Sequence, residues 1–182
     1  MNKDKKMILG YIVGGLVVIG LVPSIIYIIT WLFDNVYRLE IFQNPIIKWI
    51  FIIIFLVVGV IYGFWSIIIQ NTIGKGGPVE IGNLEISPKT ENLVVSGPYK
   101  NTRNPMLFGA FLIYLAFALY INSITAVVLV IVIFVFMLTV VVKMEEQRLL
   151  KDFGNQYEEY RKRFQSSFHG FKEKSKKNQF SY

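Results

Sequence analysis

Charged residues are missing from three long windows of this chain, and short polar segments separate those windows. Residues 7–33 form the first, 27 positions between Lys6 and Asp34. At ~1.5 Å per helical residue such a run crosses a ~30 Å hydrocarbon core with some tilt, which predicts a membrane span over 7–33. Residues 49–70, dense in Ile, Val and Phe, predict a second span. The third window runs 39 residues, from Asn104 to Val142. As one helix it would reach nearly ~60 Å, about twice the hydrocarbon thickness, so it must turn back. Asn122 and Ser123 are its most polar adjacent pair near the middle, which splits it into spans over 106–121 and 124–142.

Between the windows the pattern changes character. Residues 34–48 hold Arg38, Glu40 and the breaker Asn44-Pro45, with Trp31, Tyr37 and Trp49 placed as an aromatic belt, and read as a loop. Gly74, Gly76, Gly77, Pro78 and Gly82 cannot sustain a helix, so residues 71–89 read as a surface-lying loop. Within the first span, Pro23 is expected to kink the helix, and Gly14 and Gly15 to admit a close neighbour. After Val142 the chain is charged but keeps Met144, Leu149, Leu150, Phe153, Tyr157 and Tyr160 at largely helical spacing. This predicts an amphipathic helix leaving the membrane, interrupted at Gly154. The expected fold is an all-α integral membrane protein of about four transmembrane helices plus a cytoplasmic amphipathic carboxy-terminal helix. It forms a single domain over 1–168, followed by a basic, flexible tail over 169–182.

Composition agrees: 54% of residues are apolar and only 17% charged. The net charge of +7 comes from basic residues that flank the spans, which favours anionic lipid headgroups over nucleic acid as the partner. With four spans, seventeen Lys and Arg fall on the side of the amino terminus, central loop and tail, against two on the other. The positive-inside rule then puts both termini in the cytoplasm, and a prokaryotic plasma membrane is the expected location. Met1 to Lys6 resembles a signal-peptide start, but the apolar run is longer than a signal core and no A-x-A-like site ends it, so it is expected to stay. There is no cysteine, and the single histidine, His169, has no partner at ligand spacing, so no metal site is expected. The spans hold no ionisable group that could couple ion movement, which disfavours a transporter.

The chemistry concentrates in two stretches. One is Ser96 to Met106, S-G-P-Y-K-N-T-R-N-P-M, and the other begins E-E-Q-R-L-L-K-D-F-G at Glu145. The hairpin between them returns the chain to the same side, so the two meet. The turn, the apolar hairpin and E-E-x-x-L-x-x-x-F-G-x-x-Y-x-x-Y, in that order, resemble the integral membrane methyltransferases related to isoprenylcysteine carboxyl methyltransferase and to the phospholipid methyltransferases. The resemblance covers about two-fifths of the chain, roughly 91–164. It implies S-adenosylmethionine held by Glu91, Asn92, Leu93 and Val94, by Tyr99, by Asn104, Pro105, Met106 and Leu107, and by Glu145. Arg103, Asn104 and Glu146 are the implied catalytic residues.

The residues are compatible with that ligand. A sulfonium and an ammonium need carboxylate or aromatic faces, ribose needs acceptors, and adenine needs an apolar slot. Methyl transfer then requires alignment more than acid-base chemistry. Taken singly, each residue has a plainer reading: Gly97-Pro98 as a turn, Arg103 snorkelling to headgroups, Asn104-Pro105 as a helix start, Glu145 and Glu146 as a solvated helix end. Two positions depart from the family pattern. Arg103-Asn104-Pro105 stands where R-H-P is usual, and asparagine cannot accept a proton near neutral pH. Val141 stands where the prenylcysteine branch places an arginine facing the substrate carboxylate. Deprotonation of an amine acceptor would fall to Glu146, Tyr99 or water, whereas an anionic acceptor needs no base. The acceptor is therefore expected to be lipophilic: a prenylcysteine-like carboxylate, a phospholipid amine or another small lipid-like molecule.

Two other readings compete. A sterol-reductase-like membrane enzyme would hold NADPH, yet no basic cluster for a 2′-phosphate is evident. A non-catalytic membrane subunit would use its basic tail to hold lipid or a partner and would not need the turn and the acidic pair.

Overall fold

The computed structural model describes residues 2–77, 80–81, 84–85 and 87–162. The expected basic tail over 169–182, with His169, lies outside them. Four apolar helices form the body. Helix α1 spans Lys3–Asp34, α2 Pro45–Gly74, α3 Pro105–Ile121 and α4 Ile124–Phe153. Three of these are long and apolar enough to cross a membrane, and α3 is the shorter apolar one. A fifth helical stretch, α5, covers residues 155–162. Two-residue strands, Glu80–Ile81 (β1) and Leu84–Glu85 (β2), pair antiparallel inside the loop between α2 and α3. The protein is an all-α membrane protein.

Local chemistry sets the helix boundaries. Asn44 caps α2 by accepting hydrogen bonds from the Ile46 and Ile47 amides, and Pro45 fits the first turn because its missing donor costs nothing there. Asn122 adopts φ +60°, which asparagine tolerates, and with Ser123 makes the tight reversal between α3 and α4. Beyond Phe153, Gly154 at φ +48° stops α4 and redirects the chain into α5. All three long helices extend beyond their expected spans, α1 starting already at Lys3. Intrahelical hydrogen bonding does not stop where hydrophobicity does, so α2 runs on to Gly74 and α4 carries its charged turns to Phe153 without a break.

Each of the three long helices contains a π-helical segment: Leu16–Leu21 in α1, Gln70–Gly74 in α2 and Met137–Val141 in α4. The one in α1 immediately precedes Pro23, which cannot donate to the preceding turn, so the expected kink takes the form of a widened turn. Among the described residues the close helix-to-helix contact of small residues lies between α2 and α3. A Cβ at Gly15 would meet nothing, whereas one at Gly109 of α3 would lie 2.7 Å from the Gly63 nitrogen and 2.8 Å from the Gly59 oxygen of α2. A Cβ at Gly59 would in turn lie 2.9 Å from the Gly109 oxygen, so the two backbones meet where neither residue carries a side chain.

Helix α3 is central. Its buried Ala116 and Leu119 pack toward α2 through Ile52, and Tyr114 and Ala118 toward α1 and α4 through Ile26, Ala126 and Val130. One end of the bundle is closed by the 35–44 loop against the Asn122 turn. At the other end the amino terminus, the 75–104 loop and α5 converge: Lys3 pairs with Glu91, Lys89 with Asp152, and the Tyr160 hydroxyl donates to the Tyr99 carbonyl.

Candidate functional site

A cavity of about 340 Å³ opens where the charged end meets the helices. This is within the ~300–1,000 Å³ typical of small-molecule sites. Its upper wall comes from the turn, which the local sequence fixes. Gly97 has φ +60°, and a Cβ there would press at 3.2 Å on both Ile69 and the Trp65 ring nitrogen. Pro98 behind it is fully buried, and residues Gly97–Lys100 form one 3₁₀ turn. This places Tyr99 inward. Its hydroxyl donates to Gln70 Oε1 at 3.0 Å, and the Gln70 amide donates to Thr90 Oγ1 at 2.9 Å.

Glu145 faces the cavity from the opposite wall. Arg148, buried one helical turn on, donates to both of its oxygens, at 2.5 and 3.2 Å, and reaches Asp152 at 3.4 Å. Asp152 also takes Lys89 at 2.7 Å, so the network ties the extension of α4 to the 87–95 loop. Beside the cavity Arg103 Nη1 pairs with Glu146 at 2.5 Å.

The structure brings most of the sequence-derived candidates together. Leu93, Val94, Tyr99, Arg103, Asn104, Pro105, Met106, Leu107 and Glu145 all line this cavity. Glu146 does not line it and stands behind Arg103 as its counter-ion. Glu91 and Asn92 also lie outside: Glu91 is exposed and bound to Lys3, and the Asn92 amide donates to the Ile73 carbonyl. Loop 74–77 pairs with 87–92 through backbone bonds such as Glu91 to Gly74, and this leaves Glu91 and Asn92 facing outward while Leu93 and Val94 face the cavity.

Other lining residues carried little signal in the sequence. Gln70 stood at the end of an apolar run, and Thr90 in an unstructured lead-in. Val17, Val18 and Val22 of α1 look like any lipid-facing residues, yet they form one side of the deep half of the cavity. Arg148 did carry a signal, since its spacing of three from Glu145 is that of a helix-surface ion pair.

Electrostatics removes one candidate base. Burial, followed by Tyr160 and Glu145 nearby, pushes the Tyr99 phenol well above its ordinary range, so it stays protonated near neutral pH. Burial raises Tyr157 and Tyr160 to about 12 as well. Asn104 begins α3, but its side chain makes no cap bond and has no hydrogen-bond partner among the described residues. The helix-start reading therefore leaves its amide unused.

Toward the bilayer the lining becomes apolar: Val17, Val22, Phe111, Ile133, Phe134 and Met137. Phe111 and Phe134 stack with centroids 4.1 Å apart. Tyr114 is the polar exception, and its hydroxyl donates at 3.0 Å to the Val18 carbonyl within the α1 π segment. The site is thus one continuous space with a charged head and an apolar foot.

Searches among curated proteins and among solved structures return no match. A family model described as phospholipid methyltransferase matches residues 47–156. That stretch starts in α2, takes in the turn, the hairpin and the acidic pair, and ends just past Gly154. Since it covers more than half of the chain, this all-helical membrane protein belongs to the phospholipid methyltransferase family.

Proposed function

We propose that this membrane methyltransferase uses S-adenosylmethionine, bound at the charged head of the cavity, and takes its acceptor from the bilayer through the apolar foot. The observation that carries the reading is the continuity of the two halves. The head offers what the cofactor needs. Glu145 and Arg148 stand side by side for an α-ammonium and an α-carboxylate, and Leu93, Val94, Met106 and Leu107 supply an apolar slot for a purine. When bound, the cofactor supplies an electrophilic methyl group. The chain's own part is positional: Tyr99, fixed through Gln70 and Thr90, holds one wall, and the Arg103–Glu146 pair holds the turn against α4.

The seventeen-to-two distribution of Lys and Arg supports a cytoplasmic head with both termini on that side. Calorimetric titration of purified protein with S-adenosylmethionine and, separately, NADPH tests the proposal. Glu145→Gln should weaken S-adenosylmethionine by about 1.5–3 kcal/mol, roughly 10- to 150-fold, because a charged hydrogen bond is lost while Arg148 keeps an acceptor. Binding of NADPH alone would replace this reading with that of a reductase. Unaltered affinity in both Glu145→Gln and Tyr99→Ala would place the cofactor elsewhere.

A further inference from the structure

The lining of the apolar foot ends at one level. On α1 it includes Val22 but not Ile26, on α3 Tyr114 but not Ala118, and on α4 Val130 but not Ala126. The members of each pair are four residues apart, about one helical turn. Ile26, Ala118 and Ala126 are fully buried and pack in one cluster with Tyr114 and Val130, so the foot stops on a closed layer. At the level where it stops, Tyr114 is the largest side chain and is 8% exposed. On its face of α3 it stands between Ala110, which lines the cavity one turn above, and Ala118, one turn below. The phenol ring therefore fills space that alanines leave open on either side of it.

The backbone of α1 holds that ring in place. In the π segment the Val22 amide is given to the Val17 carbonyl, and Pro23, next in line for the Val18 carbonyl, has no amide proton. The Tyr114 hydroxyl supplies the missing donor at 3.0 Å. A carbonyl without a donor is costly at membrane depth, so this bond fixes the ring between α3 and α1.

We propose that Tyr114 is the floor of the acceptor's subsite and sets the longest apolar tail that the protein accepts. The inference rests on the methyl-transfer reading above and adds to it a limit on the acceptor. A tail is as apolar in lipid as in the foot, so the foot gains little from apolarity alone. It selects by length, because a tail that outruns the floor must displace packed side chains. Val18 and Val22, the part of this level that α1 supplies, lie outside the stretch matched by the family model.

Purified full-length protein in nanodiscs, first shown by titration to bind S-adenosylmethionine, would be given fatty acids and, separately, lysophosphatidylethanolamines with saturated tails from octanoyl to stearoyl. Two heads test the tail whichever of them is methylated. One readout is the thermal midpoint of the cofactor-loaded protein, which a bound tail raises by mass action, and the other is transfer from methyl-labelled cofactor. In the unaltered protein both should grow up to a limiting tail. Affinity should then fall about tenfold or more within roughly four further carbons, one helical turn of length. Tyr114→Ala should move that limit out by about four carbons. Tyr114→Leu, which keeps more of the packing, should move it by less, and stands in if the alanine variant does not fold. Tyr114→Phe keeps the ring and should keep the limit, while a lower midpoint without any tail reports the lost bond to Val18. Cofactor affinity within about threefold of the unaltered protein shows that a variant is folded. An unmoved limit in the alanine and leucine variants overturns the inference and leaves the methyltransferase reading standing. So does a limit that moves as far in Tyr114→Phe as in Tyr114→Ala, or the absence of any limit. Cofactor binding with no response to any tail also overturns it. No S-adenosylmethionine binding by the unaltered protein removes both.

Discussion

The α2–α3 side of the bundle and the α1–α4 side are built from equally apolar sequence, yet they do opposite things. Between α2 and α3, Gly59 and Gly109 bring two backbones together until no side chain fits at either position. Between α1 and α4, both helices widen into π segments, and a cavity of about 340 Å³ remains open beside α3. Membrane helices gain little from the hydrophobic effect once in lipid, so close packing of small residues must supply the adhesion that lets the other side stay open. One side acts as scaffold, and the other is free to hold ligands.

The sharpest way to break this division is Gly109→Leu. Its side chain would collide with the α2 backbone, where neither the Gly63 nitrogen nor the Gly59 oxygen can move independently. We expect a loss well above the ~1–3 kcal/mol of ordinary overpacking, seen as failure to recover folded protein and with it all cofactor binding. A comparable enlargement on the open side, Val17→Leu, should leave the protein folded, because Val17 lines the cavity. Recovery of stable Gly109→Leu protein would mean that the glycine contact is not the scaffold.

A smaller effect separates the two ends of the bundle. At the end away from the cavity, the Asn122 side chain accepts from the Phe42 amide and donates to the Phe42 carbonyl, both at 3.0 Å. Ser123 donates to Asp34 at 2.9 Å, and the Ile124 amide to the Leu39 carbonyl. Asn122→Ala removes two hydrogen bonds and the residue best suited to φ +60°, so it should cost about 1–3 kcal/mol in denaturation. Cofactor affinity should stay within about twofold, because that clamp lies at the opposite end from the ion-paired head. A matching fall in affinity would show that the ends are coupled.

The sequence made the membrane architecture legible because charge is costly in hydrocarbon. The window 104–142 was too long for one span, and its polar pair Asn122-Ser123 is where the chain reverses. The meeting of the turn with Glu145 followed from the same length argument. What stayed hidden depends on facing. Nothing in the local pattern tells Gly109, which touches a backbone, from Gly15, which touches nothing, or Val17 in the cavity wall from an ordinary lipid-facing valine. Glu91 and Asn92 looked equivalent to Leu93 and Val94 by position, but backbone pairing of the lead-in with residues 74–77 turns the first pair out and the second in.

The smallest expected effect concerns how the charged head is closed. Tyr157 is almost fully buried, 2% exposed, and Tyr160 donates to the Tyr99 carbonyl at 2.7 Å. Burial raises all three phenols in the folded state, Tyr157 and Tyr160 to about 12. The unfolded chain ionises its tyrosines near pH ~10. Between those values the folded protein holds more protons than the unfolded one, so stability falls as pH rises. Below pH ~10 the phenols are neutral in both states and this contribution is fully present. An alkaline titration followed by tyrosinate absorbance should therefore show this buried set ionising only as the head opens, with loss of S-adenosylmethionine binding at the same pH. Tyr157→Phe, which keeps the ring and removes the titrating group, should make the alkaline fall in stability shallower. If Tyr99, Tyr157 and Tyr160 ionise near the unfolded-chain value of pH ~10 while cofactor still binds, α5 is not the closure of the head, and the open side of the bundle is held by its ion pairs alone.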